Sequence, residues 1–319
     1  RLPDGIHGGS DTYYALYIAN LHCGEYGAAW RYLQSGNSWE YRKRNRPKLQ
    51  NLGSALQTNM KVFTKGFWDF TNTNTNNNNK NNNKNLRNPV IFIIGAEGSG
   101  KDLLEQLLET NPTIFTSDID ADYLLGDWYN GQQRSIYGTE TDKNKQTLVE
   151  AFGKGTDAIL EECTNLRSKM LRNAIWRAQY EKKEGKNVAD MTHYIDTSPN
   201  IISELGWINL IFPDSIIINT VRDPMDAIYD SYRSFAPIQS KTDWSLDLEV
   251  LIEHHAVYYN YLKLWGEVLP EGRIIHINME DVRSNPNTKQ ALKPIYKALG
   301  LKWNNIIDEN IRKYHILSL

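Results

Sequence analysis

Apolar positions in the first seventy residues recur at helical spacing. They run from Asp11 to Cys23, break at Gly24-Glu25-Tyr26, and resume from Ala28 to Leu33. The pattern predicts one helix–turn–helix unit, with Trp30, Tyr32 and Trp39 as packing residues. Residues 71–87 have no apolar period. They form an Asn/Lys low-complexity tract with nothing to bury, which predicts a disordered linker and a domain boundary. Beyond Pro89 the period changes. Short β-rich runs at Val90–Ile94, Thr192–Asp196, Ser215–Val221 and Arg273–Asn278 alternate with helical ones. The helical runs are Lys101–Glu109, Leu148–Glu184, Asp226–Ser234, Leu246–Glu267 and Thr288–Leu299. This alternation implies an α/β domain over 88–319, a parallel sheet flanked by helices, behind a small helical module at 1–70. Ligands of such sheets sit at the carboxyl ends of strands, so chemistry is expected just after Ile94, Tyr194 and Val221.

Composition narrows the partners. With 319 residues, 40% hydrophobic content and nine Trp, the chain can bury a large core. A net charge of −2 gives no whole-chain case for nucleic acid, and Arg42-Lys43-Arg44 reads as a solvated helix face. No apolar stretch reaches the roughly 18 residues of a membrane span, and no signal peptide is visible. The chain opens at Arg1 rather than Met, so it reads as a fragment. Cys23 and Cys163 are too few for a disulfide framework or a zinc site. The Asn-x-Ser/Thr pattern occurs only in the Pro-blocked Asn111-Pro112-Thr113, which disfavours a secretory lumen. A cytoplasmic location is expected, with the Golgi lumen as the alternative for a truncated chain.

The first candidate for chemistry follows Val90–Ile94: Gly95-Ala96-Glu97-Gly98-Ser99-Gly100-Lys101-Asp102. Strand, glycine-rich turn and helix place free backbone N–H groups and a helix dipole where a phosphate can sit. By letter the loop nearly matches the nucleotide-binding pattern G-x-x-x-x-G-K-[ST]. Asp102 stands where a metal-holding hydroxyl is expected. The second candidate follows Ser215–Val221, where Arg222 can grip a phosphate in bidentate fashion and Ser231 can add a hydroxyl. Pro224 suits the first turn of the next helix and Asp226 its acidic start. The competing role for Arg222 is a loop-fixing ion pair with Asp223 or Asp226. Two anion sites at neighbouring strand ends suit a ligand phosphorylated at both ends.

These segments resemble the sulfotransferase family that uses 3′-phosphoadenosine 5′-phosphosulfate, nearest to the branch with tetratricopeptide-like helices ahead of the catalytic domain. The resemblance covers most of the chain. It rests on Gly24 to Trp30 with Gly36-Asn37 and Arg42; on Gly95 to Leu108 followed by Asn111-Pro112; and on Asp196 to Asp226, including Ser198-Pro199-Asn200, Leu205-Gly206, Phe212-Pro213-Asp214 and Val221-Arg222-Asp223-Pro224-Met225-Asp226. It continues through Leu269-Pro270, Met279-Glu280-Asp281, Asn285-Pro286 and Leu299-Gly300-Leu301. The resemblance implies a P-loop-like fold and metal-free transfer of a sulfonyl group to a hydroxyl or amine. It assigns the 5′-phosphosulfate to Gly95–Lys101 and the 3′-phosphate to Arg222. Three positions depart from the family pattern. Gly98 stands where a cation usually precedes Ser-Gly, so Lys101 would supply the charge. Asp230 stands where a Ser usually follows the Arg by eight residues, so either the helix offers Ser231 in its place or affinity for the 3′-phosphate falls. Thr197 stands where many members carry a Lys.

An acceptor hydroxyl needs a base within hydrogen-bond reach. Asp196, ending a strand between the two phosphate loops, corresponds to an acidic position of carbohydrate-sulfating relatives; its structural role would be to fix the turn before Pro199. His193 is the alternative base. His254-His255 read as packing or solvent-facing residues. Loops 115–147 and 235–245 are expected to hold the acceptor, whether glycan, peptide tyrosine or small alcohol, and the N-terminal helices could recruit a protein partner. Two rival functions stand beside sulfonyl transfer: a kinase or NTPase using the near-match loop, and a sulfotransferase-like fold kept as a non-catalytic binding module.

Overall fold

The computed structural model describes residues 9–43, 90–116, 154–181, 186–198, 201–234, 243–283 and 287–303, with 56–57, 59–61, 63–65, 150, 307–309 and 311. The expected linker at 71–87 lies outside the described residues, as do most of the two expected acceptor loops. Five strands are seen: β1 (Val90–Gly95), β2 (Ile114–Thr116), β3 (His193–Asp196), β4 (Ile216–Val221) and β5 (Ile274–Asn278). They form one all-parallel sheet in the order β2-β3-β1-β4-β5. From central β1 the chain runs to the edge strand β2, returns through β3 and crosses β1 to β4 and β5, so the strand order switches sides at β1, where open α/β sheets place their ligands.

Both sheet faces are covered, which is why β1 reads as an unbroken apolar run and is buried at every position. Phe92, Ile94, Tyr194 and Ile217 point to one face, where they pack with the helices α4 (Thr156–Glu181), α5 (Ile201–Ile211) and α7 (Leu248–Val268). Ile91, Ile93, Ile195 and Ile218 point to the other, against α3 (Lys101–Glu109) and α9 (Thr288–Ala298). In α3 the amphipathic spacing buries Leu104, Leu107 and Leu108 and turns Asp102 and Gln106 outward. Between β4 and α7 lies α6 (Pro224–Arg233), and α8 (Met279–Arg283) follows β5. Arg273, just before β5, fastens this edge of the sheet. Its guanidinium donates to Asn209 Oδ1, Ser215 O, Ser215 Oγ and Phe212 O.

The N-terminal pattern gives α1 (Ser10–His22) and α2 (Tyr26–Lys43). Their closest approach requires a glycine: a Cβ on Gly36 would lie 2.7 Å from the Tyr14 ring. The pair docks on the α/β core. Tyr17, Ala29 and Leu33 share a buried cluster with Tyr232 of α6 and with Trp244 and Leu251. Asn37 links the layers, accepting from Tyr14 Oη at 2.9 Å and donating to Tyr232 O at 2.8 Å. Trp30 packs 5.5 Å from the Tyr232 ring and Tyr32 lies against the same cluster, as packing residues should. Trp39 does not: half of its surface is exposed, because it lies on the solvent side of α2.

Candidate active site

The glycine-rich loop leaves β1 at Gly95 and enters α3 at Lys101, as the strand–turn–helix reading expects. Register pairs Gly95 with Thr220, two residues before Arg222, so the two expected anion sites stand on adjacent strand ends. The loop is cinched onto β4. Thr220 Oγ1 donates to Ile94 O at 3.2 Å and shares a 2.7 Å hydrogen bond with Ser99 Oγ. A Cβ on Gly95 would come within 2.0 Å of Thr220 Oγ1 and 2.3 Å of Ser99 Oγ, so only glycine allows this closure.

Gly98 is equally constrained. Its φ is +76°, and an added Cβ would meet Ala227 O of α6 at 2.0 Å. A cationic side chain at this crest has no room in this conformation. Ala96 is buried behind the loop, while Glu97 and Gly98 are partly exposed. Gly100 caps α3 in the left-handed region and offers no side-chain cap. The first-turn amides of α3 therefore keep their orphan N–H groups and the positive end of the dipole. Lys101 takes no salt bridge among the described residues, and Asp102 is exposed in the same turn.

Arg222 follows β4, with its side chain 10% exposed. Its ion pairs are not with Asp223 or Asp226. Asp223 instead caps α6, accepting from the amides of Met225 and Asp226, with Pro224 and Asp226 in the first turn as expected. Arg222 Nη1 donates to Asp230 Oδ2 and, at 3.0 Å, to Gly98 O; Nε donates to Glu280 Oε1 at 3.2 Å. Its Nη2 takes no hydrogen bond among the described residues. Asp230, partly buried, is held below its ordinary carboxylate range by hydrogen bonds from Arg222 and Arg233, against the upward push of burial. Ser231 is buried, and its backbone N lies 3.1 Å from where a Gly98 Cβ would stand, so the main chain of α6 packs on the loop crest there.

Asp196 is fully buried at the end of β3, and its Oδ1 accepts from Ser198 N at 2.8 Å and Ser198 Oγ at 2.6 Å. It does not lie between the two anion sites, because β1 separates β3 from β4. Register sets Asp196 beside Phe92, three residues short of Gly95, about 10 Å back along the strand. His193 starts β3, farther still from the loop. Its Nδ1 bonds Thr192 Oγ1 at 2.8 Å, and burial pushes its pKa down to about 4.

Two features escaped the sequence reading. Glu105, one turn after Lys101, accepts from Thr116 Oγ1 and, at 2.9 Å, from Thr197 Oγ1. It ties the ends of β2 and β3 to α3, and burial raises its pKa. The spacing from Lys101 was its only signal. Of the two roles read for the histidines of α7, packing holds, and it is packing against the loop. His254 stacks on Trp244 at 4.5 Å and is pushed down to about 3 by burial, with His255 and Lys101 adding to the shift. His255, 3% exposed, lies against the main chain of Glu97 without a well-formed hydrogen bond at either ring nitrogen. Together they back the loop from the α7 side.

Among the described residues no group of His, Cys, Asp and Glu is arranged to hold a metal ion, and no helix is long and apolar enough to cross a membrane. A family model described as the sulfotransferase family matches residues 89–305. No curated protein matches the chain. Solved structures similar to it include the sulfotransferase domain of the Synechococcus PCC 7002 olefin synthase, at 18% identity over 72% of this chain and 78% of that one (TM-score 0.40). Others are STF1 of Mycobacterium tuberculosis H37Rv, at 11% identity over 76% of each chain (TM-score 0.40), and STF9 of Mycobacterium avium, at 12% over 98% and 89% (TM-score 0.42).

Proposed function

The chain belongs to the sulfotransferase family, and from that premise we propose that it transfers a sulfonyl group from 3′-phosphoadenosine 5′-phosphosulfate to a hydroxyl or amine acceptor, in line and without a metal. The observation that carries the reading is the Gly95–Thr220 register, which sets the glycine-rich loop beside Arg222. The residues present fit the donor's 5′ end. First-turn amides of α3, with Lys101, which takes no salt bridge among the described residues, form a donor set for a phosphosulfate. At the other end Arg222 Nη2 and the Ser231 hydroxyl would meet the 3′-phosphate. When bound, the donor supplies an activated sulfonyl group whose charge rests on its equatorial oxygens.

For such a group the protein's work is positioning and charge stabilisation rather than covalent chemistry. Lys101 stays beside the transferred charge, and the loop amides orient it. Asp196 is the carboxylate offered to the acceptor proton in this reading. Its Oδ1 is held by Ser198 N and Oγ at 2.8 and 2.6 Å, so this role requires the Ser198 hydroxyl to yield to the acceptor. Asp196→Asn then leaves donor affinity intact and lowers turnover about 10²-fold; unchanged turnover assigns Asp196 to the turn alone. In the same reading α1 and α2 are a tetratricopeptide-like unit, joined by residues 71–87 to the domain at 88–319. Incubation with radiolabelled donor, excess chelator and a panel of glycan, tyrosyl-peptide and small alcohol acceptors tests the activity. Transfer of label to at least one acceptor supports it, and none to any acceptor, with the donor left intact, contradicts it.

A further inference from the structure

Three guanidinium groups from three elements meet one carboxylate. Asp230 Oδ2 accepts from Arg222 Nη1 at the end of β4, and Oδ1 accepts from Arg233 Nε of α6 at 2.7 Å. Arg283 Nη1 of α8 stands 3.7 Å from Oδ2. Among the described residues one other acid joins them, Glu280, which is half exposed and reaches Arg222 through Nε alone. The group thus carries a surplus positive charge. Arginines crowded this way repel one another, and a single carboxylate with two oxygens satisfies them incompletely. A tetrahedral dianion, with three oxygens and twice the charge, suits the array better.

Asp230 also has somewhere to go. A cleft of about 420 Å³ opens beside it between α1 and α6, lined by Tyr17, Leu21, His22 and Arg233 among others. Arg233, its side chain 44% exposed, lines that cleft and can keep Asp230 as its partner after Arg222 lets go.

From this geometry we propose that Asp230 is an internal stand-in for the donor's 3′-phosphate, holding Arg222 until the nucleotide displaces it and so setting how strongly the chain prefers a 3′-phosphorylated nucleotide. The inference rests on the donor reading above and adds the control of that site. The displacement exchanges ion pairs and makes or breaks no covalent bond. A dianion arriving with Asp230 still in place would meet a like charge, so binding includes the cost of releasing the carboxylate. Removing the carboxylate removes that cost for a 3′-phosphate and leaves a nucleotide without one unaffected.

Calorimetry with 3′-phosphoadenosine 5′-phosphate and with adenosine 5′-phosphate, on the whole chain and its Asp230→Ser and Asp230→Asn variants, tests this. Asp230→Ser should tighten the bisphosphate roughly tenfold, about 1.4 kcal/mol, and leave the monophosphate within about twofold. Asp230→Asn, which keeps the shape and loses the charge, should move the ratio in the same direction by less. The monophosphate and the thermal midpoint report folding. A bisphosphate-to-monophosphate ratio unchanged or lowered in both variants, with the wild type binding the bisphosphate, overturns this inference alone. If no nucleotide binds to any of the proteins, the donor reading falls and this inference with it.

Discussion

Arg222 and Gly98 carry the site at the scale of single residues, and each predicts a distinct failure. Arg222→Ala removes a buried charged donor, and affinity for 3′-phosphoadenosine 5′-phosphate should fall by about 2–5 kcal/mol in calorimetry; retained affinity would remove Arg222 from the site. Gly98→Ala places a methyl 2.0 Å from Ala227 O at a φ of +76°. It should cost about 1–3 kcal/mol of stability from the backbone conformation alone, and more from the clash, as a lowered midpoint in thermal denaturation. His193 predicts a pH effect. Its pKa is about 4 when folded against 6.5 in its ordinary state, so the unfolded chain takes up the proton first. Its contribution is full above about pH 6.5 and is lost as pH falls toward about 4, on the order of 3 kcal/mol at most. His193→Gln should flatten that part of the stability–pH curve. The residue chemistry was only partly legible in the sequence. The loop and Arg222 declared themselves through spacing, whereas Arg222's partners could not, because Asp230 and Glu280 reach it through tertiary packing of α6 and α8.

At the scale of elements, short apolar runs located β1, β3, β4 and β5, the inner ones buried on both faces, and one-sided apolar spacing located the amphipathic helices α3, α6 and α9. Both missed α5 and β2 for physical reasons. In α5 ten of eleven residues are buried, so no polar face marks a 3.6-residue period. In β2 three residues are too few to show alternation. Strand order was also hidden, and that placed Asp196 wrongly between the anion sites; pairing between distant strands leaves no local trace. The edge built on Arg273 makes its own prediction. Burial lowers its pKa to about 10, yet four protein acceptors hold its guanidinium. Arg273→Ala removes the donor from Asn209 Oδ1 and Ser215 O, while Phe212 O keeps Ser215 as its partner, and should cost about 1–3 kcal/mol in denaturant unfolding. A loss below about 1 kcal/mol would show that β5 is held by its ladder and core contacts alone.

Across the whole molecule, the helical pair, the sheet and the site are mechanically continuous: α2 holds α6 through Asn37, and α6 holds the loop crest at Gly98 and the Arg222–Asp230 pair. Asn37→Ala removes the donor to the Tyr232 carbonyl and should lower stability by about 1–3 kcal/mol in one cooperative thermal transition. A separate early transition would make the pair an independent unit. The central claim is that this continuous structure presents two anion sites, on adjacent strand ends, to one doubly phosphorylated nucleotide. Calorimetric titration with 3′-phosphoadenosine 5′-phosphate without metal, against ATP with magnesium, tests it most directly. The account predicts micromolar or tighter binding of the bisphosphate and clearly weaker binding of ATP. Preference for magnesium-ATP, or no response to either nucleotide, would contradict it.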